Sequence, residues 1–153
     1  MSKLLLALVL ATPTQVLASG AASEERISCT VSVHALDASG RARSARRVSA
    51  SVAPVVVFAG RVSQKDVTTR PLLFDVFSPR GQRYQVLLAT PRVVTRERDG
   101  QRFERTTRTQ EAGMAVAGSS IAWMSMYGKW RVEPRLEGQE RPCGRPEYFT
   151  IRP

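Results

Sequence analysis

Met126 to Pro153 reads M-Y-G-K-W-R-V-E-P-R-L-E-G-Q-E-R-P-C-G-R-P-E-Y-F-T-I-R-P, and its pattern decides the fold class. Trp130, Val132, Pro134 and Leu136 share one side of a period-2 ribbon, while Arg131, Glu133, Arg135 and Glu137 share the other. Successive side chains of a strand point to opposite faces, so this alternation is that of a strand with one face in a core. A Gly- and Pro-rich connection follows, carrying one of the chain's 2 cysteines, and then a short closing run, Tyr148 to Ile151. The stretch reads as the last two strands of a β-sandwich.

The rest of the chain fits that reading. Ile27 to Leu36 alternates as a first strand, with Cys29, Val31, Val33 and Ala35 on one face and Ser28, Thr30, Ser32 and His34 on the other. Asp37 to Arg47 reads as a loop. The valine-rich run Val48 to Val62 is broken at Pro54, which cannot donate to a ladder, so it predicts a bent or edge strand or two short ones. Leu72 to Phe77 and Gln82 to Leu88 flank Ser78-Pro79-Arg80-Gly81, a turn sequence, and form a hairpin. Val93 to Thr109 forms a second hairpin at Asp99-Gly100, a dipeptide that tolerates the two positive φ values of a type I′ turn. That turn pairs Arg98 with Gln101, Glu97 with Arg102 and Arg96 with Phe103, on a ribbon whose tip projects into solvent. Gln110 to Ser120 reads as a small, flexible connection, and Ile121 to Tyr127 as another strand with Ile121 and Trp123 on one phase. No segment repeats apolar positions at helical spacing. About seven to nine short strands with regular turns predict an all-β sandwich.

The ending G-K-W-R-V-E-P-R-L-E-G, followed by Y-F-T-I, resembles the last hairpin of immunoglobulin-like sandwich modules of exported bacterial proteins. Such modules close with a Gly-x-Trp strand, a glycine-containing turn and a Phe-x-Val/Ile strand. The resemblance covers Gly128 to Ile151. It implies an immunoglobulin-like antiparallel β-sandwich with a binding or structural role, although fold alone does not assign function. The chain departs from antibody-type domains, since Cys29 and Cys143 lack the spacing of their inter-sheet bridge.

At 153 residues the chain is long enough for one domain with a real core, and its 42% hydrophobic content is that of a globular protein. Lys3, the apolar run Leu4 to Ala11 and Val16-Leu17-Ala18 make a secretory signal over residues 1–18; Gly20-Ala21-Ala22 offers a second cleavage point. The apolar run is far short of a membrane span. Residues 19–26 then form a disordered lead, residues 27–153 the single domain, and the expected location is the periplasm or the exterior. An exported chain meets an oxidising compartment, so Cys29 and Cys143 are expected to pair, with two free thiols as the alternative.

The formal net charge is +10, and 20 of the 23 basic residues are arginine. Removal of Lys3 with the signal leaves +10 − 1 = +9. Such a balance favours anionic partners, and equally reflects an arginine-rich genomic composition. Two segments concentrate it: Arg41, Arg43, Arg46 and Arg47 in the first loop, and the hairpin Arg92 to Arg108, where Arg96, Arg98, Arg102 and Arg105 are the candidate anion contacts. Arginine's fork suits phosphate, sulfate and carboxylate groups. Only Phe103 interleaves these segments, which argues against nucleic acid.

Catalytic chemistry finds little support. The single histidine, His34, stands on the outward phase of its strand, no Gly-x-Ser-x-Gly elbow is present, and neither catalytic residues nor a cofactor is assigned. The carboxylates Glu97, Asp99 and Glu104 are interleaved with arginines that repel a cation, so no metal site is expected. The expectation is a non-catalytic module that binds or assembles with a cell-envelope or extracellular protein. The alternative is a binder of anionic glycan or lipopolysaccharide through the arginine-rich loops.

Overall fold

The computed structural model describes residues 27–63 and 70–153. The signal and lead read from residues 1–26 lie outside the described residues. Ten strands are described: β1 (Cys29–Leu36), β2 (Ala42–Ser44), β3 (Arg47–Ser49), β4 (Val55–Val62), β5 (Leu72–Phe77), β6 (Arg83–Leu88), β7 (Thr90–Arg98), β8 (Gln101–Ala115), β9 (Gly128–Leu136) and β10 (Glu147–Arg152). A single helical turn, α1 (Ser120–Trp123), precedes β9. The strands form two five-stranded sheets, ordered β2-β1-β4-β8-β7 and β3-β10-β9-β5-β6. All pairs are antiparallel except β3 with β10, where Arg47 lies opposite Thr150 and Val48 opposite Ile151. This is an immunoglobulin-like β-sandwich.

The closing hairpin is central to the second sheet. In β9 Trp130, Val132, Pro134 and Leu136 are buried, and Trp130 stands opposite Phe149 of β10. Burial of the two inner faces against each other is the main drive for the fold, at about 1.5–3 kcal/mol for each large apolar side chain. Aromatic rings link the layers, with Phe58 of β4 5.9 Å from Phe74 and 5.6 Å from Phe149 of the other sheet; within that sheet Tyr84 meets Trp130 edge-on at 5.2 Å. The Trp130 indole N–H donates to the Met126 carbonyl at 3.0 Å. Pro134 is tolerated between two strands because β10 has ended there. Its carbonyl accepts instead from Cys143 N at 2.9 Å, so its missing N–H faces a side without a ladder.

Cys29 and Cys143 form the disulfide, with 5.3 Å between Cα atoms and a sequence separation of 114. Beside it Cys29 N donates to Cys143 O at 2.9 Å, and a Cβ on Gly144 would overlap the Cys29 carbonyl. The first strand and the connection before the last are thus joined by covalent bond, hydrogen bond and close backbone approach.

Several expectations change. Asp37 to Arg47 is not wholly loop: β2 forms on the free edge of β1, with Ala35 opposite Arg43. The valine run is two strands, one of the expected outcomes: β3 is an edge, while β4 is central rather than edge, because Pro54 precedes the strand and removes no ladder bond from it. Gln110 to Ala115 is no flexible connection but the half of β8 that pairs with β4. Its small residues pass close to a neighbour: a Cβ on Gly113 would lie 3.2 Å from Val55 Cγ1. Ile121 to Tyr127 is not a strand. Ser119 caps α1 by accepting from Ile121 N at 3.2 Å, and the turn buries Ile121 while leaving Trp123 83% exposed. In the β5–β6 ladder Val76 pairs with Gln85 and Phe77 with Arg83, leaving Tyr84 as an extra residue of β6, so Tyr84 and Leu87 both face inward and Val86 and Leu88 outward.

Candidate functional site

The second hairpin supplies the most distinctive surface. Asp99 and Gly100 take φ values of 53° and 73°, the left-handed pair that a two-residue hairpin loop requires. The register is Arg98 opposite Gln101, Glu97 opposite Arg102 and Arg96 opposite Phe103, as the turn sequence predicts. The β4 ladder covers only Thr109 to Ala115 of β8, and β7 is the sheet edge. Residues Val93 to Arg108 therefore leave the sandwich as a two-stranded arm. Polar and charged residues dominate this segment, so neither of its faces has enough apolar surface to fold down onto the core.

Directly opposed residues share a face, and alternation sorts the arm into two unlike sides. One side carries Val94 with Arg105, Arg96 with Phe103, and Arg98 with Gln101, and has no acidic residue at these strand positions. Phe103 on it is 51% exposed. The other side carries Thr95 with Glu104 and Glu97 with Arg102; there Arg102 Nη2 lies 3.9 Å from Glu104 Oε1. At the tip Arg98 Nε is 3.6 Å from Asp99 Oδ2. Three of the four candidate arginines, Arg96, Arg98 and Arg105, are thus brought together, and Arg102 is separated from them. Neighbours on one face are spaced about 5 Å across the strands and 6–7 Å along them.

The other basic segment is dispersed over several backbone elements. Arg41 ends a turn, Arg43 lies on β2, Arg46 bridges the sheets and Arg47 opens β3. The Asp37 carboxylate organises the turn by accepting from Ser39 N at 2.9 Å and Arg41 N at 3.0 Å. The Ser39 hydroxyl first, and then the Arg41 amide, hold its carboxyl below the ordinary aspartate value. Arg43 Nε is 3.9 Å from Asp37 Oδ2. Arg43 and Arg47 stand on a cleft of about 380 Å³ that is otherwise largely apolar, lined by Leu36, Val48 and Ala53 among others. Because β2 and β7 are opposite edges of one sheet, four strand spacings or about 19 Å apart, the two basic segments do not combine into one patch.

Outside the arginine segments, His34 Nε2 lies 2.9 Å from Ser32 Oγ, whose hydroxyl donates to the Ala59 carbonyl at 3.2 Å. This is a contact along the outward face of β1. Among the described residues no group of three or more His, Cys, Asp or Glu side chains is placed to hold a metal ion. No described helix is long and apolar enough to cross a membrane.

Sequence reasoning missed two features. Asp75, on the outward phase of β5, is only 3% exposed because Arg135 Nε donates to its Oδ2 at 2.8 Å and Arg83 Nε lies 3.6 Å from Oδ1. A lone acid flanked by Phe74 and Val76 was the available signal. The second is the loop around α1, where Trp123 and Met124 are 83% and 70% exposed. Its signal is the absence of any charged residue between Glu111 and Lys129, in a chain that is 24% charged.

No protein-family model and no curated protein sequence matches the chain. Among solved structures, the chain is similar to an immunoglobulin-like protein from Pseudomonas aeruginosa. The two share 17% identity over 87% of this chain and 100% of that one, with a TM-score of 0.47. The fold assignment rests on the two sheets themselves.

Proposed function

We propose that this chain is a non-catalytic, exported recognition module that assembles with an acidic protein of the cell envelope or extracellular space. The β7–β8 arm is its contact surface. The observation that carries this reading is the sorting of the arm into a face whose strand positions bear Arg96, Arg98, Arg105 and Phe103 and no acid, and a charge-paired face. Arginine and aromatic side chains are the residue types that dominate protein contacts, and an arm held away from the core can reach a partner without rearranging the sandwich. The disulfide fits the oxidising compartment that the signal sequence implies.

The same face favours a second reading, in which an anionic glycan or lipopolysaccharide is the ligand and the guanidinium forks grip phosphate or sulfate groups. Salt separates the two. Glycan binding on heparin or lipopolysaccharide falls steeply between low and physiological ionic strength and disappears with Arg96→Ser/Arg98→Ser/Arg105→Ser. Assembly with a protein persists at physiological salt, is lost with Phe103→Ser as well as with the triple variant, and is retained in Arg102→Ser. Retention of all partners by the triple variant would remove the arm from the function.

A further inference from the structure

The end of the sandwich opposite the arm has a different surface chemistry. Five segments cap it: the turn 37–41, the loop 50–54, the turn 78–82, the loop 116–127 and the last residues, 152–153. The strands fix this grouping, since Leu36 lies opposite Val55, Val55 opposite Ala115, and Gly128 opposite Ile151. Val116 N also donates to Pro54 O at 2.9 Å, tying two of the loops together. From this end project Trp123, Met124 and Val52, which are 83%, 70% and 67% exposed. The first two ride on α1, held from beneath by Ile121, which is fully buried, and by Tyr84 Oη at 2.6 Å from Ser120 Oγ. They are displayed by a supported turn.

The charges at this end are one-sided. Arg41, Arg80 and Arg152 are exposed there, and the only acidic side chain in the five segments is Asp37, already occupied by Ser39, Arg41 N and Arg43. The loop 116–127 has no charged residue. Exposed apolar side chains, one of them tryptophan, at the same end as three exposed arginines match the requirements of the interface of a bilayer. Tryptophan settles at headgroup depth, its neighbours displace water from the acyl boundary, and the cations meet acidic headgroups.

We propose that this end docks on an anionic lipid surface, with Trp123 and Met124 entering the interface and Arg41, Arg80 and Arg152 facing the headgroups. This does not depend on the function of the arm. The test is binding of the full chain, with any leader removed, to vesicles of phosphatidylcholine with and without phosphatidylglycerol. Co-sedimentation and tryptophan fluorescence are read together; Trp130 is buried throughout and supplies a constant background. The expected result is binding to the anionic vesicles, a blue shift, and quenching by lipids brominated near the headgroup. Trp123→Ser/Met124→Ser abolishes the shift and lowers partitioning by about tenfold or more, since two exposed side chains lose their apolar transfer. Arg41→Ser/Arg80→Ser/Arg152→Ser weakens binding and flattens its salt dependence. Three results would overturn the proposal: no binding to anionic vesicles; binding that survives Trp123→Ser/Met124→Ser but is lost with the arm variant; or a protein partner lost with Trp123→Ser in the absence of any vesicle binding.

Discussion

Gln110 shows how a single polar side chain can be structural in a core of apolar ones. It is 1% exposed, accepts from Leu72 N at 2.7 Å and donates to Arg70 O at 2.9 Å. The backbone entering β5 is thereby satisfied by a side chain of β8, across the two sheets. Gln110→Ala leaves a buried donor and an acceptor unpaired, and denaturant unfolding is expected to show a loss of about 1–3 kcal/mol. Asp37 is a different case, partly exposed and local. Its carboxyl is held low by the Ser39 hydroxyl and the Arg41 amide, so the turn's contribution is present above the unfolded aspartate value and is lost as pH falls through the folded one. Titration of the Asp37 carboxyl by NMR should give a midpoint below that of the same residue in a Ser39→Ala variant. Arg135 has the opposite sign, raised by its hydrogen bond to Asp75, so on the alkaline side that contribution is lost only when the guanidinium itself deprotonates, in strong alkali.

Elements differ in how far their sequence announces them. The β9–β10 hairpin and the β7–β8 turn were legible because local rules agree with tertiary demands: alternation in the one, two positive φ values in the other. Trp123 was not, since Ile121 and Trp123 satisfy period 2 as readily as they satisfy one helical turn. The choice was made by the Ser119 cap and by Gly118, whose φ is 68°. Nor was β8 beyond Gln110, where alanine and glycine look like linker but are the residues small enough to lie beside Val55 and the central strand. The arginines of the arm were visible as a cluster. Their division into two faces needed the register, because only pairing across strands puts Arg105 beside Arg96 and removes Arg102. Tertiary pairing likewise dispersed the Arg41–Arg47 run, two of whose members belong to strands of different sheets.

Across the whole molecule, the disulfide ties together a domain whose first and last described strands lie in different sheets. The bridge spans 114 positions, and its removal frees an unfolded chain with far more conformations. Cys29→Ser/Cys143→Ser is expected to lower stability by about 4–5 kcal/mol in equilibrium unfolding, less whatever the neighbouring backbone hydrogen bonds retain. That end also bears the arm, and the opposite end bears the apolar tip, so the sandwich acts as a spacer between two chemically different surfaces. On the proposed function, recognition belongs to one face of the arm. Site-specific photocrosslinking in the producing cells tests it directly, with the photoreactive residue placed at Phe103 on the face without acidic strand positions or at Thr95 on the charge-paired face. A discrete protein adduct is expected from position 103 and none from position 95. Equal adducts from both positions, or none from either, would contradict it.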